Sequence, residues 1–266
     1  MSHRASRPFP CALALAIALS ISLAGCGGGG GATLGKEPAV TTGPAATAQY
    51  ISYIATAKST VAQVPIYDSP TATEPSRELE NPWLVDPDVP TSTVTQVFLV
   101  KQQRPTRVEV LLPVRPNGST GWVNSTDVTI TPNPFAIKIG LGAHTITVTK
   151  ADTVIYTGAV AVGATDPPLP DTGKPTPTPT GEYYLRVLIQ APDPNTVYGP
   201  FAYGLSSYSE TLDTFAGGDA EIGIHGNNDA SVLGTDATHG CIRMDNAAIT
   251  MLSKQLPLGT PVNIVA

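Results

Sequence analysis

The sequence predicts a mainly β protein with only short helical segments, and two observations support this. Only 14% of the 266 residues are charged, while 25 glycines and 26 prolines are present. Such a composition suits turn-rich β structure better than long exposed helices. Apolar residues also alternate with period two in short runs, as at Val97 and Leu99 or at Val108 and Val110. We therefore expect many short strands separated by Pro and Gly turns.

The charge of the chain bears on its partners. The formal net charge is −6 at pH 7. Proteins that neutralise nucleic-acid phosphates carry an excess of basic residues on one face, whereas acidic residues are in excess in this sequence. The sequence therefore argues against nucleic acid as a partner.

The amino terminus has the pattern of an export signal. Arg4 and Arg7 precede a mostly apolar run over residues 11–24, and small residues follow. The string Leu23-Ala24-Gly25-Cys26 resembles a lipobox, which predicts a lipoprotein signal peptide over residues 1–25 and lipidation of Cys26. An ordinary signal peptide, cut at a nearby small residue with Cys26 incidental, is the alternative. Residues 26–48 are rich in Gly, Ala, Thr and Pro and predict a flexible tether to the membrane.

The number and positions of the cysteines indicate which of them has a free thiol. Three are present; Cys11 would leave with the signal peptide and Cys26 would carry lipid, so that Cys241 is the sole free thiol. An unpaired thiol in an oxidising, exported compartment indicates either deep burial or a nucleophile.

Residues 49–130 are predicted to form a small β domain. Gly121-Trp122-Val123 resembles the GWV string of bacterial SH3-like wall modules, although another small β barrel or sandwich fits the same pattern. The ligand of this domain is not specified by the sequence.

Residues 131–266 are predicted to form a second domain. Alternation at Ile137 and Ile139, and again at Ile146 and Val148, predicts a hairpin. The Pro-Thr segment, residues 174–181, has the composition of a linker, but similar strands flank it, so we place it within one domain. Near the end, Asp245 is the expected N-cap of a short helix over residues 246–252, followed by a last strand at 262–265.

The chemistry is concentrated in one string. Ile224-His225-Gly226 is followed by eleven residues and then by Thr238-His239-Gly240-Cys241-Ile242-Arg243. A cysteine nucleophile needs a neighbour that accepts its proton, and histidine titrates in the right range. Gly240 lets the backbone approach a substrate carbonyl, where N–H groups can hold an oxyanion. The string is that of an acyl-transfer site.

This string resembles the signature of the L,D-transpeptidase (YkuD-type) family. The resemblance covers residues 134–266, including the Pro-Thr segment and the final Gly-Thr-Pro-Val turn. It implies a YkuD-like β-sandwich or mixed-sheet catalytic domain with a short helix after the nucleophile. Thr238 stands where Ser is commoner, and the spacer after His225 is at the short end of the family range.

The same resemblance implies the roles of individual residues. Cys241 is the nucleophile and His225 the acid/base. The oxyanion and substrate are positioned by the neighbouring residues His239, Gly240, Thr238, Arg243 and Gly226. Tyr203 and Tyr208, upstream of His225, are further candidates for the substrate groove. No cofactor or metal is implied.

The implied substrate is the peptidoglycan stem peptide. The thiolate attacks the carbonyl that joins the third stem residue to D-alanine, and an acceptor amine from another stem then forms a crosslink between two third residues. Water as acceptor would give L,D-carboxypeptidase activity. The family also implies acylation by carbapenem β-lactams and a location at the cell envelope.

Two rival readings stay open from the residues. His225, His239, Cys241 and Asp229 are a possible Zn²⁺ ligand set for a wall hydrolase. A non-catalytic, wall-binding lipoprotein is the other alternative. A chelator would inactivate only the first, and an alkylating agent would react with a nucleophilic Cys241.

Overall fold

The computed structural model describes residues 50–86, 89, 91–215 and 217–266. The predicted signal peptide (1–25), the lipidation site Cys26 and the tether (26–48) lie outside the described residues. In the described part, no helix has the length and apolar character needed to span a bilayer.

The first part of the described chain forms an antiparallel five-stranded sheet, which we call the first sheet. Its strand order is β8-β7-β6-β1-β9, and β2 with β3 and β4 with β5 form two separate hairpins. The strands are β1 (Ser52–Ala57), β2 (Gln63–Ile66), β3 (Arg77–Glu80), β4 (Trp83–Leu84), β5 (Thr93–Val94), β6 (Val97–Gln103), β7 (Arg107–Leu111), β8 (Thr120–Asn124) and β9 (Val128–Asn133).

The first sheet buries Val97, Leu99, Val108 and Val110, the residues whose alternation predicted strands. Phe98, Val108, Val110 and Val123 belong to one apolar cluster, and each is at most 2% exposed. The likeness to SH3-like modules and the boundary at residue 130 stay predictions.

The rest of the chain forms a mixed eight-stranded sheet, which we call the second sheet. Its order is β12-β11-β10-β19-β14-β15-β16-β18, and the pairs β10 with β19 and β16 with β18 are parallel. The elements are β10 (Phe135–Gly140), β11 (Thr145–Lys150), β12 (Thr153–Ala159), β13 (Val162–Gly163), β14 (Gly181–Gln190), β15 (Phe201–Tyr208), β16 (Glu221–His225), a 3₁₀ helix (Ala230–Val232), β17 (Asp236–Thr238), β18 (Ile242–Arg243), α1 (Asn246–Leu252) and β19 (Pro261–Val265).

The short helix and the mainly β class are confirmed. Asp245 caps α1, since its Oδ1 accepts the backbone N–H of Ala248 at 2.9 Å. Ile249 and Leu252 are each 1% exposed and pack on the core of the second sheet. α1 begins three residues after β18, the strand that follows the predicted nucleophile Cys241.

The two sheets are joined by a small apolar cluster. Ile54 and Leu99 of the first sheet pack with Tyr184 of β14 and with Leu258. Gly259 has φ of +89°, and a Cβ there would lie 2.5 Å from Ile54 Cγ2. Glycine therefore permits both the turn before β19 and the close approach of β1.

Candidate active site

A cavity of about 570 Å³ lies over one face of the second sheet. Strand register pairs Gly204 with Gly223 and Ala202 with His225, and pairs Val187 with Gly204. Paired residues of adjacent strands point to the same face. The floor of the cavity is thus built from small side chains beside His225, which leaves space above the sheet for a ligand.

Cys241 lies on this face, immediately before β18. Its Sγ accepts the N–H of Gly223 at 3.4 Å, and the thiol donates to the carbonyl oxygen of Glu221 at 3.9 Å. Parallel pairing of His225 with Arg243 brings β18 alongside β16. The sheet therefore brings the predicted nucleophile and the predicted acid/base to one cavity, where both line the wall. No hydrogen bond joins the two side chains in the described part of the chain.

His225 is only 3% exposed. Its Nδ1 lies 2.7 Å from the carbonyl oxygen of Gly226. Because a carbonyl can only accept, Nδ1 carries the hydrogen and Nε2 holds the lone pair of the neutral ring. Burial lowers the pKa of His225 to about 4, and nearby Arg243 lowers it further, while the carbonyls of Gly226 and Val197 oppose the shift. The imidazole is neutral at neutral pH.

The Cys241 thiol is partly buried and free of any disulfide. Burial raises the pKa of Cys241 above its usual range and nearby Glu221 adds to this, whereas the Gly223 N–H and the charge of Arg243 act in the opposite direction. The resting site therefore holds a neutral thiol near a neutral imidazole.

The loop before Cys241 is a tight, internally bonded turn. Thr238 Oγ1 donates to the carbonyl oxygen of Cys241 at 2.5 Å and accepts the N–H of Gly240 at 3.1 Å. Gly240 has φ of +120°, a backbone conformation that favours glycine. This explains why a hydroxyl residue and a glycine flank His239 in the string.

The Pro-Thr segment is hydrogen-bonded to this loop. Thr176 Oγ1 donates to the Thr238 carbonyl at 3.1 Å, and Thr178 Oγ1 donates to the Gly240 carbonyl at 2.8 Å. Both threonines are buried. The segment is packed against the nucleophile's loop, a role that its linker-like composition did not reveal.

The loop after His225 is fixed by Asn246 of α1. The amide of Asn246 accepts the N–H of Asn227 and donates to its carbonyl, both at 2.8 Å. A Cβ at Gly226 would collide with Asn246 Oδ1, so Gly226 allows this contact. Asn246 was missed from sequence because its partner is distant in the chain.

His239 and Arg243 do not line the cavity. His239 Nε2 lies 2.7 Å from Asp171 Oδ2, and its ring lies 4.7 Å from that of Phe215 between centroids. Phe215 does line the cavity. The structure therefore places His239 behind a wall residue, and Arg243 beside His225 and close enough to Cys241 to affect its pKa.

The two tyrosines predicted for the groove differ in their position relative to the cavity. Tyr203 pairs with Ile224 and so points away from the cavity face; its hydroxyl donates to the carbonyls of Leu252 and Leu256. Tyr203 is nevertheless among the residues that line the cavity. Tyr208 is not among the lining residues, and its hydroxyl donates to the Pro113 carbonyl at 2.8 Å.

Three further aromatic residues, which had no sequence signal, also line the cavity. Tyr198 lies 5.0 Å from the His225 ring between centroids, and Phe215 and Trp83 form other parts of the wall. Trp83 comes from the β4–β5 hairpin, far from Cys241 in sequence.

The residues of the Zn²⁺ reading do not assemble. Asp229 caps the 3₁₀ helix, and its Oδ1 accepts from the N–H and the hydroxyl of Ser231. Across the described ranges, no group of three or more His, Cys, Asp or Glu side chains is arranged to hold a metal ion.

Comparison with known proteins gives the family. The sequence profile of the YkuD family, described as the L,D-transpeptidase catalytic domain, matches residues 134–264. The YkuD protein of Bacillus licheniformis, named as an L,D-transpeptidase, is 31% identical over 164 residues, which cover 59% of this chain and 85% of that protein. The chain belongs to the YkuD family of L,D-transpeptidases. The YkuD protein of Bacillus subtilis is 33% identical over 132 residues, covering 49% of this chain and 66% of that protein, just under two thirds of its length.

Solved structures of L,D-transpeptidases overlap with the chain in part. One from Mycobacterium tuberculosis is 14% identical, with 64% of this chain and 90% of that chain covered and a TM-score of 0.40. One from Mycobacterium smegmatis is 13% identical, with 65% and 90% covered and a TM-score of 0.37. The family assignment rests on the sequence matches.

Proposed function

We propose that the protein is a peptidoglycan L,D-transpeptidase in which Cys241 forms a thioester with a tetrapeptide stem. The single observation that supports this is the convergence of Cys241 and His225 on one cavity face whose floor is made of glycine and alanine. The site has a nucleophile, a proton acceptor and room for a peptide.

The protonation states suggest the course of the first step. As Sγ attacks the carbonyl that joins the third stem residue to D-alanine, the thiol proton passes to Nε2 of His225. An imidazole with a pKa of about 4 is a weak base but a strong acid once protonated. It therefore readily gives the proton to the departing D-alanine amine, and the tetrahedral intermediate collapses to the thioester.

The neighbouring residues are assigned supporting roles. Because the Gly240 N–H already donates to Thr238, we assign the oxyanion to the backbone N–H of Cys241. Thr238 and Gly240 orient this N–H. Arg243 favours the thiolate by its charge, and His239 supports the wall through Phe215.

The second step uses the same residues in reverse. An acceptor amine from another stem loses its proton to His225 and attacks the thioester, which gives a crosslink between two third residues. Water as the acceptor gives carboxypeptidase activity from the same intermediate. We further propose that the protein is exported and anchored by lipid on Cys26, with residues 26–48 as the tether to the wall.

Intact mass spectrometry after incubation with a carbapenem tests the proposal, since the family resemblance implies acylation of the nucleophile. We expect one adduct per chain, none in Cys241→Ala, and acylation slowed by about a hundredfold or more in His225→Ala. His144→Ala is the matched control, because His144 bonds Asp236 and does not line the cavity; it should react as the unchanged protein does. An adduct that persists in Cys241→Ala, or none on the folded protein, would overturn the proposal.

A further inference from the structure

The first sheet's neighbouring hairpin reaches into the cavity of the second sheet. Trp83 of β4 and Val85, which follows it, both line the wall that also contains Val187 and Cys241. The proposed catalytic residues His225 and Cys241 lie within the region that the family profile matches, residues 134–264. Trp83 and Val85 lie outside that region.

The hairpin is fixed at its base. The side-chain amide of buried Asn81 donates to the carbonyls of Lys58 and Val61, and its Oδ1 accepts the N–H of Gln96. Within the hairpin, Trp83 pairs with Val94. The hairpin that carries the indole is therefore held in place by hydrogen bonds at its base.

Trp83 is also held from the side of the second sheet. The guanidinium carbon of Arg186 lies 3.8 Å from the centroid of the indole ring. Arg186 in turn pairs with Glu221, with 3.4 Å between Nη1 and Oε1. This chain of contacts ties the indole to the start of β16.

The position of Glu221 places Trp83 relative to the reaction. Glu221 is itself next to the nucleophile, because its backbone carbonyl oxygen lies 3.9 Å from Cys241 Sγ. Trp83, which contacts the Glu221 partner Arg186, therefore lies in the same cavity as the atom that attacks. Val85 and Val187 add apolar surface to the same cavity.

We propose that Trp83 is a specificity-determining residue, which binds the aliphatic side chain of the peptide residue whose carbonyl Cys241 attacks. The inference deepens the proposed function and rests on it for the identity of the attacked residue. An indole face is a large apolar surface that stacks well on an alkyl chain, whereas an alanine methyl would not reach it.

The test measures binding and not turnover, so that it stands apart from the acylation experiment. In a Cys241→Ala background, calorimetry compares two tetrapeptides that differ only at the third residue, which is lysine in one and alanine in the other. We expect Trp83→Ala to weaken binding of the lysine peptide by about tenfold and of the alanine peptide by less than about twofold. Trp83→Phe should retain most of the preference, since an aromatic face remains.

Leu84→Ala is the matched control, because Leu84 is adjacent on β4, 40% exposed and absent from the cavity wall. It should leave both affinities unchanged, and thermal unfolding of each variant reports on folding. Equal losses for both peptides, no loss for either, or no binding of the lysine peptide to the Cys241→Ala parent would overturn the inference. Failure of the proposed function is separate: it is the absence of a Cys241 adduct, whatever the peptides do.

Discussion

Two strand glycines, Gly121 in the first sheet and Gly223 in the second, serve opposite purposes. A Cβ at Gly121 would lie 2.5 Å from Ile66 Cγ2, so this glycine permits close packing of the core. A Cβ at Gly223 would lie 3.0 Å from the Tyr203 carbonyl oxygen and 3.9 Å from His225 Cδ2, on the face that carries the cavity. Gly121 therefore allows close packing of the core, and Gly223 leaves space in the cavity.

The two regions also differ in what they bury. The buried polar residues of the first region are the uncharged Ser52, Asn81, Gln96 and Asn133. The second region buries the ring of His225, and burial also raises the pKa of Glu221 against the opposing charge of Arg186. Titration should therefore affect the second region more strongly.

Acid should destabilise the protein through His225, and this is the largest effect that we expect. The pKa of His225 is about 4 in the folded chain against 6.5 for the free side chain. Because the folded pKa is depressed, the contribution of the neutral ring is fully present above pH 6.5 and is lost as the pH falls from 6.5 to about 4. The loss below that range is about 3 kcal/mol.

Urea unfolding at pH 7.5 and at pH 4 measures this term, with His225→Asn as the variant that cannot titrate. The difference in unfolding free energy between the two proteins should shrink by about 3 kcal/mol on going to the lower pH. Parallel pH dependences for the two proteins would show that His225 does not carry the effect.

Alanine at the two glycines sharpens the comparison of the sheets. Gly121→Ala should lower the unfolding free energy by about 1–3 kcal/mol, because the new methyl overpacks against Ile66, and should leave the rate of Cys241 acylation unchanged. Gly223→Ala should slow acylation at least about tenfold, since a methyl enters the space beside the nucleophile. Both quantities can be measured on the same preparations. The comparison fails if Gly121→Ala slows acylation as much as Gly223→Ala does.

The sequence could predict what is local in the chain. The alternation of the strands, the Asp245 cap and the string around Cys241 each depend on residues within a few positions of one another. His225 and Cys241 could be joined because their spacing matches a family signature. Trp83 and Phe215 could not, because their places in the wall arise from packing between distant segments.

The positions of the two tyrosines and the role of the Pro-Thr segment could not be predicted from the sequence either. Tyr203 lies in a strand that is buried on both faces from Leu205 onward, so period two does not tell which face meets the cavity. The register also shifts between Gly204 and Tyr208, which changes the relation of the two tyrosines to the partner strand. The Pro-Thr segment has the composition of a linker, and that composition does not reveal that its buried hydroxyls bond to a loop 62 residues later.

Replacement of the two buried threonines of that segment should give the smallest change in unfolding free energy, and the change should differ between them. Thr178 Oγ1 accepts the Gly163 N–H at 2.9 Å and donates to the Gly240 carbonyl, so Thr178→Val leaves two buried groups without a partner and should cost about 2 kcal/mol. The Thr238 carbonyl that Thr176 bonds also accepts the Ala164 N–H at 2.8 Å, so Thr176→Val should cost about 1 kcal/mol or less.

Thr129→Val supplies the matched control from the first sheet, because Thr129 is an exposed residue of β9 and its replacement should change the unfolding free energy little. Chemical unfolding ranks the three variants by their loss of unfolding free energy. Acylation kinetics then show whether that loss affects the reactivity of Cys241. Since Thr178 holds the residue next to Cys241, only Thr178→Val should slow acylation measurably. A larger cost for Thr176→Val than for Thr178→Val would mean that the Pro-Thr segment supports the core and not the loop of the nucleophile.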